Sequence, residues 1–105
     1  GLRLRMGSGK QYSFVFDRAM DGNVSQEEAY QEMGCLVQSA LDGYRVCVFA
    51  YGQTGSGKTH TMVGRPNEPG MIPRALRQCF RSAKILEAKG WQFQMRASML
   101  EIYNE

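Results

Sequence analysis

The chain has 105 residues, enough for one domain or part of one. With 43% hydrophobic and 22% charged residues it reads as an ordinary soluble globular sequence, not a disordered one. A net charge of +3 allows an anionic partner but does not argue for nucleic acid. The longest unbroken apolar run is Val46–Tyr51, far short of the roughly 20 residues a membrane span needs, and no charged-then-apolar leader suggests secretion.

Leu2, Leu4 and Met6 alternate with Arg3 and Arg5, the period of a strand. Gly7-Ser8-Gly9-Lys10 supplies turn residues, and Tyr12–Phe16 forms a second aromatic and β-branched run, so the first segment reads as a hairpin. A loop over Asp17–Val24 follows. Ser25-Gln26-Glu27-Glu28 has the Ser-x-x-Glu pattern of a capping box. Ala29, Met33, Leu36, Val37, Ala40 and Leu41 then recur at helical steps, and Gly43 suits a left-handed stop. Val46–Tyr51 is expected to be a buried central strand, because an unbroken apolar run needs cover on both faces. A glycine-rich loop leads into a short helical start over Lys58–Val63. Gly64–Gly70, with two prolines, is expected to be an exposed loop. Pro73 suits the first turn of a second long helix that ends at Gly90. Phe93, Met95, Ala97 and Met99 alternate with polar residues before the pattern slips, which predicts a long final strand with a bulge. A helix between strands points to a parallel or mixed sheet with helices packed on it.

Gly52-Gln53-Thr54-Gly55-Ser56-Gly57-Lys58-Thr59 matches G-x-x-x-x-G-K-[ST] at every fixed position, between an apolar run and a helix start. Successive backbone N–H groups of such a loop converge on phosphate oxygens, and glycines let the backbone come close. Lys58 is expected to reach the β- and γ-phosphates of a nucleotide, and Thr59 to present its hydroxyl to Mg²⁺. The similar Gly7-Ser8-Gly9-Lys10 lacks the first glycine, since position 4 is Leu, and lacks the Ser/Thr, since position 11 is Gln. It is expected to be a plain turn. A hydrolysing enzyme of this type places an Asp on a later strand, but Asp17, Asp21 and Asp42 all precede the loop. Asp17 is expected to cap its loop. No residue is therefore assigned to orient an attacking water. Either the chain binds nucleotide without hydrolysis or the rest of the catalytic site lies outside it.

Val48–Met62, including Tyr51, Gln53 and the tail His60-Thr61-Met62, resembles the nucleotide loop of kinesin motor domains. Four more segments resemble the same family in the same order. They are Phe14-Val15-Phe16-Asp17 (F-x-F-D), Leu41-Asp42-Gly43-Tyr44 (L-D-G-Y), Gly70-Met71-Ile72-Pro73-Arg74 and Glu101-Ile102-Tyr103-Asn104-Glu105 (E-I-Y-N-E). Leu36–Ala40, Ile72–Arg77 and Gly90-Trp91 resemble the C-terminal-motor, minus-end-directed class. One departure is Ala19-Met20, where the family has V-F.

The resemblance implies an α/β P-loop NTPase-type three-layer fold, with a central mixed sheet and helices on both faces, present only in part. It makes residues 1–105 an internal fragment of a kinesin motor domain. It implies the ATP-binding portion of a microtubule-dependent motor that couples ATP hydrolysis to movement, the fragment alone being inactive. The alternative is a kinesin-like module that binds nucleotide or tubulin without turnover. The implied nucleotide-binding residues are Gly52, Gln53, Thr54, Gly55, Ser56, Gly57, Lys58, Thr59 and His60, with ATP and Mg²⁺ as cofactors and Thr59 as the metal residue. His60 would touch adenine or ribose as a stacking or polar group. Microtubules are the implied partner, through parts of the motor domain absent here, with no membrane and no nucleic acid. The implied location is the cytoplasm and its cytoskeleton, with the mitotic spindle and a coiled-coil homodimer left open for the parent protein. An unrelated P-loop kinase or GTPase would need a base-recognition motif such as N-K-x-D, which is not in the sequence.

The remaining residues have plainer expectations. Arg74, Arg77, Arg81 and Lys84 fall on one helix face and are expected to be solvated. Trp91 and the scattered methionines read as packing residues, and Cys35, Cys47 and Cys79 as buried thiols.

Overall fold

The computed structural model describes residues 2–104. Gly1 and Glu105, the last residue of the E-I-Y-N-E segment, lie outside the described residues. Leu2–Arg5 (β1) and Gln11–Phe14 (β2) pair antiparallel, with Leu2 opposite Phe14 and Leu4 opposite Tyr12. This is the expected hairpin. Its turn is closed by Met6 N–H donating to the Lys10 carbonyl at 2.8 Å and Gly9 N–H to the Met6 carbonyl at 2.9 Å, with Gly9 at φ +82°. Side chains alternate across a strand, so Leu2, Leu4, Tyr12 and Phe14 share one face of the ribbon. The second strand ends short of the expected Phe16, and Val15 and Phe16 are exposed. Asp17 makes no capping bond among the described residues. Asp21 does this for the loop instead, accepting from Asn23 N–H at 2.8 Å.

The helix Gln26–Leu41 (α1) starts on the expected capping box. Ser25 Oγ accepts from Glu28 N–H at 3.1 Å, and Glu28 Oε2 accepts from Ser25 N–H at 2.8 Å. Two orphan donors of the first turn are thereby satisfied. At its other end Gly43 sits at φ +102°. Tyr44 N–H donates to the Ser39 carbonyl and Gly43 N–H to the Ala40 carbonyl, the bond pair of a Schellman stop. The second long helix, Met71–Glu87, ends in the same way one turn on, with Gly90 at φ +93° and Trp91 N–H on the Leu86 carbonyl.

Between them lie a five-residue helix, Lys58–Met62 (α2), and the pair Gly64–Arg65 (β3) and Glu68–Pro69 (β4), after which Met71–Glu87 is α3. The expected loop at 64–70 is therefore a short hairpin, exposed as expected over residues 65–68 but not at Gly64, Pro69 and Gly70. Its ends are tight. Gly70 is buried, and a Cβ there would come within 2.6 Å of the Thr61 carbonyl oxygen; a Cβ on Gly64 would come within 2.9 Å of Pro69 C. Pro73 falls in the first turn of α3, where the missing N–H costs no helix bond.

Helices α1 and α3 pack on one another, joined by polar side chains at their contact. Gln78 Nε2 donates to the Gly34 carbonyl at 3.2 Å, and the Tyr30 hydroxyl bonds to Gln78 Oε1. Ala83 of α3, 6% exposed, is the one buried apolar residue among the described residues.

Two expected strands do not form. Val46–Tyr51 and the segment 91–102 have no ladder partner among the described residues. Phe49 is 80% exposed and Tyr51 96%. An apolar run is a central strand only when neighbours on both edges take its N–H and C=O groups. The described residues supply only two two-stranded antiparallel sheets, so the parallel or mixed sheet is not assembled within them. Phe93 and Met95 nevertheless face α3 across an open cavity of about 780 Å³, lined also by Phe80 and Ala83. The radius of gyration, 17.5 Å, exceeds the ~13 Å of a compact chain this long. Several packing residues are consequently exposed: Cys35, Cys47, Met99, and Trp91, which stacks on Phe93 at 6.3 Å.

Candidate phosphate-binding site

The site is built where the extended run after Tyr44 meets α2. Gly52 is half-buried against Ser56, and a Cβ there would lie 3.2 Å from Ser56 Cβ and collide with its hydroxyl. This position admits glycine alone without a shift of the loop. Ser56 N–H donates to the Gln53 carbonyl at 3.1 Å and closes the turn. Gly55 at φ +81° and Gly57 at φ +98° are left-handed. Both stand in open space, so backbone conformation and not crowding selects glycine there. Gly57 is also the N-cap of α2, and Thr61 N–H returns to its carbonyl at 3.0 Å.

The Lys58 ammonium is turned onto its own loop. It donates to the carbonyls of Gly52 and, at 2.8 Å, of Gln53. Thr54, Gly55, Gly57, Lys58, Thr59 and His60 line an open cleft of about 440 Å³. Gly52, Gln53 and Ser56 are not in that lining. They bond the loop to itself and to Lys58. No aspartate lines the cleft either: Asp21 serves its turn, and Asp42 accepts from Gln38 of α1. Among the described residues no three His, Cys, Asp or Glu side chains gather as a metal site.

His60 lines this cleft and a second one of about 400 Å³, shared with Ser25, Gln26, Asn67, Glu68 and Arg74. Gln26, on which the sequence placed no role, reaches across from the first turn of α1. Its Nε2 donates to the His60 carbonyl at 2.6 Å and lies 3.5 Å from the Glu68 carbonyl. A bond spanning 34 residues leaves no periodic trace, so only the fold reveals it. Arg74 corrects the expectation of a solvated basic face, because it is half-buried and its Nε donates to the Pro69 carbonyl at 2.9 Å. Arg77 and Arg81 are exposed as expected. Burial pushes the Tyr30 phenol above its ordinary value, Cys79 adds to the rise, and Arg74 opposes it.

This loop geometry sits within a wider match. The family described as the kinesin motor domain matches residues 3–105. A kinesin-like protein KIN-14D of Arabidopsis thaliana is 57% identical over 101 residues, 93% of this chain and 13% of that protein. Carboxy-terminal kinesin 2 of Xenopus laevis is 58% identical over 99 residues, 90% of this chain and 15% of that one. Among solved structures, the motor domain of the Kar3-like kinesin from Ashbya gossypii superposes with a TM-score of 0.77 at 43% identity, covering 85% of this chain and 29% of that one. A KIF14 dimer with AMP-PNP in complex with a microtubule gives 0.73 at 35% identity, covering 81% and 26%. The chain thus spans under a third of these proteins. Such motor domains have the P-loop NTPase fold, of which the chain carries a part. By matched residues, by identity to C-terminal kinesins and by fold, the chain belongs to the kinesin motor domain family.

Proposed function

We propose that this chain is the ATP-binding portion of a microtubule-dependent motor that couples ATP hydrolysis to movement along microtubules. The observation that carries the reading is the loop at 52–59. A glycine packed against Ser56, two left-handed glycines and a lysine ammonium are set at the start of a helix beside an open cleft. These residues fit a polyphosphate, because the loop's bare backbone can approach the oxygens and Lys58 supplies the opposite charge. Gly52, Gln53, Thr54, Gly55, Ser56, Gly57, Lys58 and Thr59 would hold the phosphates, and His60 would lie toward the ribose or base. Thr59 would carry Mg²⁺ through its hydroxyl, with the remaining positions taken by phosphate and water oxygens. Bound Mg²⁺ supplies charge neutralisation of the phosphates.

Within this chain the work is binding and orientation. Lys58 would exchange the carbonyls of Gly52 and Gln53 for phosphate oxygens, trading neutral acceptors for ionised ones so that opposite charges meet in each bond. The AMP-PNP and the microtubule in the similar KIF14 structure support nucleotide binding by this chain and microtubule binding by its parent. The dimer in that structure supports a dimeric parent. The reading places the parent on the cytoplasmic cytoskeleton, the mitotic spindle included, which imaging of the tagged protein checks. The decisive experiment is phosphate release by the parent motor domain with and without microtubules, beside fluorescent ADP binding. Stimulated turnover is the expected result, and a parent that binds no nucleotide overturns the reading.

A further inference from the structure

We infer that Gln26 is a positioning residue for the phosphate loop, acting from another helix. It rests on the nucleotide-binding reading above. A helix of five residues cannot hold itself in water, because its nucleation cost exceeds what so few bonds return. The last carbonyls of such a helix have no partner of its own. In α2, Val63 N–H takes the Thr59 carbonyl at 2.8 Å. The next carbonyl, that of His60, is taken by Gln26 Nε2 at 2.6 Å.

The same nitrogen lies 3.5 Å from the Glu68 carbonyl in β4. Both partners are acceptors, so the amide must present its two N–H groups to them. Gln26 therefore ties α2 and the 64–69 hairpin to the rigid first turn of α1, itself fixed by the Ser25–Glu28 box.

On the far side the hairpin is locked to α2 and α3. Gly70 N–H donates to the Val63 carbonyl at 3.0 Å, and Arg74 Nε to Pro69. Lys58 and Thr59 occupy the first turn of the helix whose end Gln26 holds. Releasing that end lets the turn tilt or fray, and the phosphate-facing groups lose their fixed spacing. Gln26 touches no ligand itself. Its effect is on how well the cradle is preorganised.

The test uses the parent motor domain with three side chains of one length: Gln26, Gln26→Met and Gln26→Glu. The readouts are ADP affinity by fluorescence titration, melting temperature, and amide exchange over 60–64. Gln26→Met removes the donors and is expected to weaken ADP binding about tenfold, from one lost bond and one stranded carbonyl. Exchange over 60–64 is expected to quicken. Gln26→Glu sets a carboxylate against two carbonyls and is expected to be worse than Met. It should recover as falling pH protonates the side chain and restores a donor. Unchanged ADP affinity in Gln26→Met, with or without a lower melting temperature, overturns the inference alone. So does a Gln26→Glu protein that binds as well as wild type at neutral pH. A wild-type domain that binds no ADP overturns both this inference and the reading beneath it.

Discussion

The tetrapeptide Gly-Ser-Gly-Lys occurs twice, at 7–10 and at 55–58, and the two copies do different work. In both, the second glycine is left-handed, at φ +82° for Gly9 and +98° for Gly57. The copies differ in what the chain does next. After Lys10 it enters β2, and the lysine's carbonyl closes a hairpin by accepting from Met6 N–H. After Lys58 it enters α2, and the ammonium gathers the carbonyls of Gly52 and Gln53. The first copy is held by one neighbouring strand. The second is held from three sides: by Gly52, which packs against Ser56, and, through α2, by the 64–69 hairpin and by Gln26 of α1. What separates the two glycine-lysine turns is the elements around them, since their own four residues are identical.

The largest expected separation between the copies is at the lysines, tested in the parent motor. Lys58→Ala should lower ATP turnover by about 100-fold or more, because each charge-assisted bond to phosphate is worth about 1.5–3 kcal/mol and the ammonium makes more than one. Lys10→Ala should leave turnover within a factor of about two, as an exposed surface change does. Steady-state phosphate release decides it, and equal losses from both variants would erase the distinction.

A smaller contrast lies in the residue that follows. Thr59→Ala should raise the Mg²⁺ concentration needed for turnover about tenfold, while Thr59→Ser keeps the hydroxyl and should stay near wild type. Titration of Mg²⁺ in the two variants reads it out, and matching curves would remove the metal role.

The glycines should behave alike for stability and unlike for function. Gly9→Ala and Gly57→Ala each force a side chain into a left-handed conformation at a cost of about 1–2 kcal/mol. Denaturant midpoints should fall in both, whereas ADP affinity should fall only in Gly57→Ala. An ADP defect in Gly9→Ala would show that the hairpin also braces the site.

The smallest effect probes the bracing of the second copy through α1. Ser25→Ala should cost about 1 kcal/mol of stability. The same box is sensitive to acid. The backbone and side-chain bonds to Ser25 hold the Glu28 carboxyl below its ordinary 4.5. A lowered carboxylate pKa gives stability that is present above 4.5 and is lost as pH falls through the folded-state value. Melting temperature measured from pH 6 downward should therefore drop more steeply in wild type than in Glu28→Gln, and parallel profiles would sink the assignment.

Local chemistry was legible in the sequence by itself. The Ser25–Glu28 box, the glycine stops at Gly43 and Gly90, the first hairpin and the 52–59 loop all follow from residues within a few positions of one another. Caps and turns are short-range bonds, so a short stretch of sequence contains everything that decides them. The family, too, was legible from those same motifs. What only the tertiary structure decided depends on partners distant in sequence. Val46–Tyr51 has the composition of a central strand but no neighbour among the described residues, so its composition alone could not make it one. Gln26 looked like an ordinary helix residue, and only the folded chain sets the His60 carbonyl 2.6 Å from its amide. Backbone groups are the same at every position, so no side-chain pattern announces which carbonyl a distant donor will find.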